Sequence, residues 1–458
     1  MEKIDGVNLT EGSISKKIIS FAIPLLFGYI LYTGYNIVDM IWVGNLLGKD
    51  AVAASSVSFV LIYILISLAS GASTGTAVLI ARYYGAKKYD KVEKVASNSY
   101  FLSIIISIIL TVIGLCSYNL VLKFVNVTGN IFNLASGYLR ICLFGFIFMY
   151  MFFLAIAILR GIGDTMSSLV FLVISSVVNI VLDPFLISGI GPFKKLGLNG
   201  AAYATVIAQA IAVVIGLLFI GRKNKLLKFD PRKFIPDKQI MMDLIKLSFP
   251  TAMQQVLLSV GISIVSSYVN SFGKDVTAGY GVATKIDSIV TMVVMALSAA
   301  TTSITGQLIG AKKEERVKEV FRSGIIISIV PALLVTVLSL LIPEQILSLF
   351  VPNKEVLEIG ASYLRIVSLG YMAVTATSIL TGIFSGAGKT FMTMVFTIVQ
   401  LWLIRIPITS IASKTSLNYK GIWIAILISN VSGLIINMIF YFWGGWKKTT
   451  VKSKNIVQ

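Results

Sequence analysis

The sequence contains no histidine, two cysteines and few charges, with Asp, Glu, Lys and Arg making up 13% of 458 residues. Each shortage excludes something. Without imidazole there is no His-ligated metal site, and a proton relay must do without the side chain that titrates near neutrality. Cys116 and Cys142 both lie in apolar segments, as small buried hydrophobes rather than a disulfide framework. No nucleophile–base pair and no cluster of metal ligands stands out, so neither an enzyme nor a cofactor is expected. The charged fraction is too low to cover a soluble protein of this length.

What fills the chain instead is apolar. Hydrophobic residues make up 56% and the mean hydropathy is +0.89. Predominantly apolar runs such as Phe101–Leu115, extended on both sides, and Ile325–Ile342 recur along the length. Each can cross roughly 30 Å of hydrocarbon as a helix, so the fold class is an all-α integral membrane protein, with the lipid bilayer as its solvent. The net charge of +19 sits in short segments between these runs: Arg82 to Lys94, Arg222 to Lys246, Lys312 to Arg322 and the tail from Lys447. Connections on the alternate side carry few, such as Lys49, Lys123, Lys274 and Lys354. About 27 basic residues fall on one side and about 8 on the other, which sets both termini in the cytoplasm by the positive-inside rule. No basic segment is interleaved with aromatics on a soluble module, so nucleic acid is not an expected partner. The apolar stretch after Lys16 and Lys17 reads as a first span, not a signal peptide. The Lys-, Ile- and Asn-rich composition suggests a bacterium with an AT-rich genome, whose cytoplasmic membrane is the expected location.

Cutting at basic and Gly/Pro/Asn-containing breaks predicts twelve transmembrane helices. They fall into an N-lobe over residues 1–221 and a C-lobe over 247–446, with a cytoplasmic linker at 222–246 and a cytoplasmic tail at 447–458. The halves repeat at an offset near 225. Ile23-Pro24 matches Phe249-Pro250, and Gly48-Lys49-Asp50 matches Gly273-Lys274-Asp275. Gly85-Ala86-Lys87-Lys88 matches Gly310-Ala311-Lys312-Lys313, and Tyr138-Leu139-Arg140 matches Tyr363-Leu364-Arg365. Gly161-Ile162-Gly163-Asp164-Thr165 matches Gly386-Ala387-Gly388-Lys389-Thr390. Six helices per repeat is an even number, so the repeats are parallel, related by an axis along the membrane normal. Two six-helix lobes around a central cleft suit alternating access.

Acids inside spans are expensive, costing about 2.5 kcal/mol or more at the bilayer centre. The candidates are Asp39, Asp183 and, less deeply, Asp287. Tyr35 and Asn36 precede Asp39 by four and three residues, giving one polar helix face. Asn179 precedes Asp183 by one turn, and Pro184 follows it, removing a backbone donor beside the carboxylate. Burial makes a carboxylate easier to protonate. An ionised pair can hold Na⁺ or an organic cation and a protonated pair cannot, which is a minimal antiport mechanism. Asp287 is expected to form an interfacial ion pair with Lys285, and Asp164 to be structural. Arg140 and Arg365 are repeat-equivalent and read as anchors; Arg405 lies at a span end. Gln254, Gln255 and Gln400 are polar sites in the second lobe that could face the cleft. Gly306-Gln307 reads as a helix-packing contact.

These residues resemble the multidrug and toxic compound extrusion (MATE) transporters along essentially the whole length. The resemblance rests on Asp39-Met40-Ile41-Trp42-Val43-Gly44, Arg82-Tyr83-Tyr84-Gly85-Ala86 and Leu159-Arg160-Gly161-Ile162-Gly163-Asp164-Thr165. It also rests on Asn179-Ile180-Val181-Leu182-Asp183-Pro184 and Gly200-Ala201-Ala202-Tyr203-Ala204-Thr205. It implies an exporter of small-molecule cationic, often aromatic drugs, driven by inward H⁺ or Na⁺ and working as a monomer. The family's N-lobe cation site corresponds to Asp39, Asn179, Asp183 and Thr205, which would be metal ligands if the ion is Na⁺. Tyr138 matches a tyrosine near that site. Some members carry further acids in the seventh and tenth spans, where this chain has Gln254, Gln255 and the acid-free run Ala373–Ile383. Coupling is therefore expected in the N-lobe alone. A lipid-linked precursor or polysaccharide flippase of the same wider superfamily is the alternative, and would need a strongly cationic cleft.

Overall fold

In a computed structural model, residues 4–124, 127 and 129–447 are described. The expected tail beyond Lys447 lies outside them. Helices are the regular secondary structure found among the described residues. In order, the helices are α1 (Ile14–Leu47), α2 (Lys49–Gly85), α3 (Tyr89–Phe124), α4 (Gly129–Phe144), α5 (Phe146–Gly161), α6 (Thr165–Ser188), α7 (Leu198–Lys223) and α8 (Lys238–Asn270). They continue as α9 (Lys274–Gly310), α10 (Val317–Leu341), α11 (Pro343–Ser348), α12 (Lys354–Val367), α13 (Tyr371–Gly386), α14 (Thr390–Thr397), α15 (Ile406–Ala412) and α16 (Tyr419–Phe442). Eleven spans are long and apolar enough to cross a membrane, and the pair α4 and α5, bent by 49° at Gly145, makes a twelfth. Large apolar side chains such as Val330, Leu341 and Phe442 remain exposed, as lipid-facing residues do.

The sequence repeat reappears in the backbone. Lys87 and Lys312 adopt left-handed conformations with φ of 57° and 58° at equivalent turns. Gly48 and Gly273, which open α2 and α9, have φ of 80° and 101°, and Gly163 and Gly388 have 86° and 71°. Such angles favour glycine. The span break at Gly145 has its counterpart in a 3₁₀ turn at Ser368–Gly370 between α12 and α13.

The chain divides into two compact units: unit 1 contains residues up to Val7 and Phe27–Ala252, unit 2 contains Asn8–Leu26 and Met253 onward. The boundary thus differs from the expected 1–221 and 247–446 lobes. It falls inside α1 and α8, two residues past Pro24 and Pro250, rather than in the 222–246 segment. Proline removes a helical hydrogen bond and loosens the ladder at that point, so each helix can contribute its two halves to different units.

Within unit 1, Gly71 of α2 lies so close to α8 that an added Cβ would stand 2.4 Å from Ala252 Cα. Backbone cannot swing aside as a side chain can. Gly71→Ala is therefore expected to lower the thermal stability of the purified protein by about 1–3 kcal/mol, whereas Gly281→Ala, which meets nothing within 4 Å, should leave it unchanged.

Asp164 caps α6: Ser167 N and Oγ donate to its carboxylate at 3.0 and 2.7 Å, and Lys223 Nζ approaches at 2.8 Å. Burial pushes this carboxyl up, but the contacts to Lys223 and Ser167 together outweigh it and hold it below the ordinary carboxylate value. A depressed pKa stabilises the fold above the unfolded value and loses that contribution as pH falls through the folded one. Asp164→Asn should accordingly lower the melting temperature at neutral pH, with the gap to wild type narrowing in acid.

Candidate functional site

An acid pair in unit 1

Asp39 comes from α1, Asn179 and Asp183 from α6, Thr205 from α7 and Tyr138 from α4, all within unit 1. Asp183 and Asn179 are 0% and 1% exposed, far inside an apolar helix pair. The Asn179 amide spends its two N–H groups locally, donating to Asp183 Oδ1 at 3.4 Å and to Thr205 Oγ1 at 3.2 Å. That orientation leaves Asn179 Oδ1 buried with no protein partner. Asp183 Oδ2 and Asp39 Oδ1 are in the same state. The two carboxyls lie within hydrogen-bonding reach of each other.

The arrangement therefore gathers acceptor oxygens and supplies almost no donors. Two unit charges about 4 Å apart repel by about 4 kcal/mol at an effective dielectric near 20. The group needs something positive: a proton shared between the carboxyls, or a cation held by carboxylate, amide and hydroxyl oxygens. Hard monovalent and divalent ions take oxygen ligands of this kind. No group of three or more His, Cys, Asp or Glu that could hold a metal occurs among the described residues. Two carboxylates suit a weakly held, exchangeable ion.

Tyr138 and Cys142, one turn apart on α4, lie within electrostatic range of this pair. The sequence reading took Cys142 as a small buried hydrophobe; its position four residues after Tyr138 is the signal that could have placed it near the site. Tyr35 is buried one turn before Asp39 and packs edge-on against Tyr32. The Asn36 amide donates an N–H to the Tyr32 carbonyl on its own helix at 2.5 Å.

The polar residues expected in the second half are placed differently. Gln254 spans to α14, donating to Thr397 Oγ1 at 2.8 Å and accepting from Thr393 at 3.2 Å. Its amide ties two helices of unit 2 together. The half-buried Gln255 accepts from Ser259 only through its backbone carbonyl. Arg140 is exposed and engages Tyr118, and Arg365 is exposed and pairs with Glu344 at 3.3 Å. Gln307 accepts from Leu9 N at 2.9 Å, so it anchors the N-terminal segment within unit 2.

Asp287 requires a correction. It makes no ion pair with Lys285. Instead it accepts hydrogen bonds from the hydroxyls of Tyr363 and Tyr371, the latter at 2.6 Å. The turn at Ser368–Gly370 between the two tyrosines lets both reach one carboxylate, which helical periodicity alone would not suggest.

Relatives

The MatE family model matches residues 24–185 and 250–411, one copy per repeat, and its starts coincide with Pro24 and Pro250. A probable multidrug resistance protein of Bacillus subtilis, YoeA, is 30% identical over 446 residues, covering 96% of both chains. A probable multidrug resistance protein NorM from Thermotoga maritima is 27% identical, covering 97% of this chain and 96% of its own. Among solved structures, an outward-facing multidrug resistance MATE family transporter of the MOP superfamily superposes with a TM-score of 0.89 at 27% identity, covering 99% of this chain and all of that one. With these relatives, the multi-pass helical chain is a membrane transporter by class. It belongs to the MatE family of multidrug efflux transporters.

Thr205 is the hydroxyl that orients the Asn179 amide. Thr205→Val should reduce the initial rate of drug efflux from cells several-fold while Thr205→Ser keeps most of it, because serine retains the acceptor. Equal activity of the two variants would remove Thr205 from the site.

Proposed function

We propose that the chain is a secondary active antiporter of the bacterial cytoplasmic membrane, with both termini cytoplasmic. It exports cationic and aromatic small molecules by alternating access in exchange for inward H⁺ or Na⁺. The observation that carries this reading is the Asp39–Asp183 pair, half-buried at Asp39 and fully buried at Asp183, with Asp39 Oδ1, Asp183 Oδ2 and Asn179 Oδ1 all lacking protein partners. A proton or Na⁺ entering from outside and an organic cation arriving from the cytoplasm both relieve the same excess of negative charge. Only one can do so fully at a time, and that exclusivity is the coupling. An exchange of one monovalent ion for one monovalent cation is electroneutral, so the ion gradient supplies the drive.

The basic residues favour this reading over a flippase. Arg140, Arg365 and Arg405 are held separately, by Tyr118, by Glu344 and by Ser429 with Asn430. Each is engaged by its own neighbours rather than left for the pyrophosphate that a flippase would hold.

The test is ethidium efflux from proteoliposomes with a pH gradient and a Na⁺ gradient imposed one at a time. Wild type should respond to at least one gradient. Asp39→Asn and Asp183→Asn should each reduce gradient-driven efflux at least about tenfold, equivalent to about 1.4 kcal/mol or more, while inserting normally. Full gradient-driven efflux by both variants would remove the acid pair from the mechanism.

A further inference from the structure

Unit 2 holds its own polar centre, a half-buried Asp287 and Arg405 beside the buried Tyr363 and Tyr371, built from residues that the acid pair does not use. Asp287 sits about 20 Å along α9 from its start and receives the Tyr363 and Tyr371 hydroxyls on its two oxygens. Tyr363 is the repeat counterpart of Tyr138, so each unit places this tyrosine beside a membrane-embedded acid, although the acids come from different helices. Arg405 is in electrostatic range of Asp287, Tyr280 and Tyr363 but makes no ion pair with the carboxylate. Its guanidinium is clamped instead by Ser429 Oγ at 2.7 Å from Nε and by Asn430 Oδ1 at 2.6 Å from Nη2. Arg405 also ends a π-helical stretch, Ile398–Arg405, a geometry found at functional sites more often than in plain scaffold. The surroundings are aromatic: Tyr280 stacks on Trp423 at 5.6 Å, and Tyr363 meets Trp423 edge-on at 4.8 Å.

We infer that Asp287 is a second proton-exchanging carboxylate, with Tyr363 and Tyr371 as its hydrogen-bond partners and Arg405 as its fixed counter-charge. The ligand is a proton rather than Na⁺ or a drug. Both carboxylate oxygens already face hydroxyl hydrogens, and a guanidinium nearby repels any further cation. Ionised, the acid pair of unit 1 carries two negative charges and no base, which draws cations in. Ionised, Asp287 and Arg405 sum to zero. Protonation from hydronium forms one O–H bond on Asp287, releases water, and turns one tyrosine from donor to acceptor. It also leaves Arg405 without its counter-charge, held only by the neutral Ser429 and Asn430 side chains, an unfavourable state that reverts readily. The groups facing Asp287 from its own and neighbouring elements are Tyr280 on α9, Tyr363 on α12, Tyr371 on α13 and Arg405 at the end of the π-helical stretch, so the proton equilibrium belongs to this set. Its use in transport rests on the antiport reading above; the protonation itself does not.

Infrared difference spectroscopy of the protonated-carboxyl C=O stretch, recorded on the full chain in lipid nanodiscs through a pH titration, tests this directly. The expected result is a band that persists in Asp39→Asn/Asp183→Asn, disappears in Asp287→Asn, and changes frequency in Tyr371→Phe, which keeps the carboxyl and loses one hydroxyl. Arg405→Gln should displace the pH at which that band appears, and Arg405→Lys should largely restore it. If Asp287→Asn misfolds, Tyr371→Phe and the Arg405 pair still decide the matter. A band set that vanishes entirely in Asp39→Asn/Asp183→Asn, or that Tyr371→Phe and Arg405→Gln leave untouched, overturns the inference. Failure of the acid pair in efflux, by contrast, would show in the proteoliposome experiment and leave this band in place.

Discussion

A carboxylate surrounded by hydrocarbon must have a positive partner, and Asp39 and Asp183 have been given none within the protein. Nearly every other feature of unit 1 sharpens that deficit. The Asn179 amide turns its donors to Asp183 and Thr205 and leaves its oxygen unpaired. Pro184 follows the deepest acid and leaves the Ile180 carbonyl without its helical hydrogen bond, one more acceptor beside the carboxylates. The pair is thus a standing demand for positive charge, and an exchanger is a protein that lets two different species answer the same demand. A pair fully satisfied by arginine or lysine would be more stable and of no use for exchange.

The two repeats solve the problem of a buried acid in opposite ways. Their backbones agree at the turns that set helix direction, as Lys87 with Lys312 and Gly163 with Gly388 demonstrate. Their chemistry diverges between those turns. Unit 1 concentrates negative charge around oxygen ligands. Unit 2 wraps one acid in two tyrosine hydroxyls, places Arg405 nearby and packs aromatic rings around the set. Duplicated scaffolds can diverge in this way because the fold depends on helix packing and turn geometry, which tolerate changes at a few inward-facing positions.

The fold and family were legible in the sequence because apolar run length, basic asymmetry and repeated turn motifs all act locally or at a constant offset. Asp39 and Asp183 were legible because charge in an apolar run is conspicuous, and Asn179 because it precedes Asp183 by one turn. Thr205 and Tyr138 needed the family resemblance, since hydroxyls in spans are common. The unit boundary was not legible: a polar linker is easy to see, whereas the exchange of helix halves past Pro24 and Pro250 depends on three-dimensional packing. Asp287 was misread for a related reason. Lys285 is its neighbour in sequence, but residues two apart on a helix point in different directions, and its true partners lie 76 and 84 positions away. Gln254 shows the same limit, as its amide is consumed by contacts with Thr393 and Thr397 that no spacing rule predicts.

The central claim is that one pair of carboxylates serves both the driving ion and the exported cation. Equilibrium binding of ethidium to purified protein, titrated with H⁺ and with Na⁺, tests it most directly. In wild type, at least one of the two ions should displace ethidium competitively, while Asp39→Asn/Asp183→Asn should bind it weakly and without regard to either. Ethidium bound by that double variant at wild-type affinity, and still displaced by the same ion, would contradict the account.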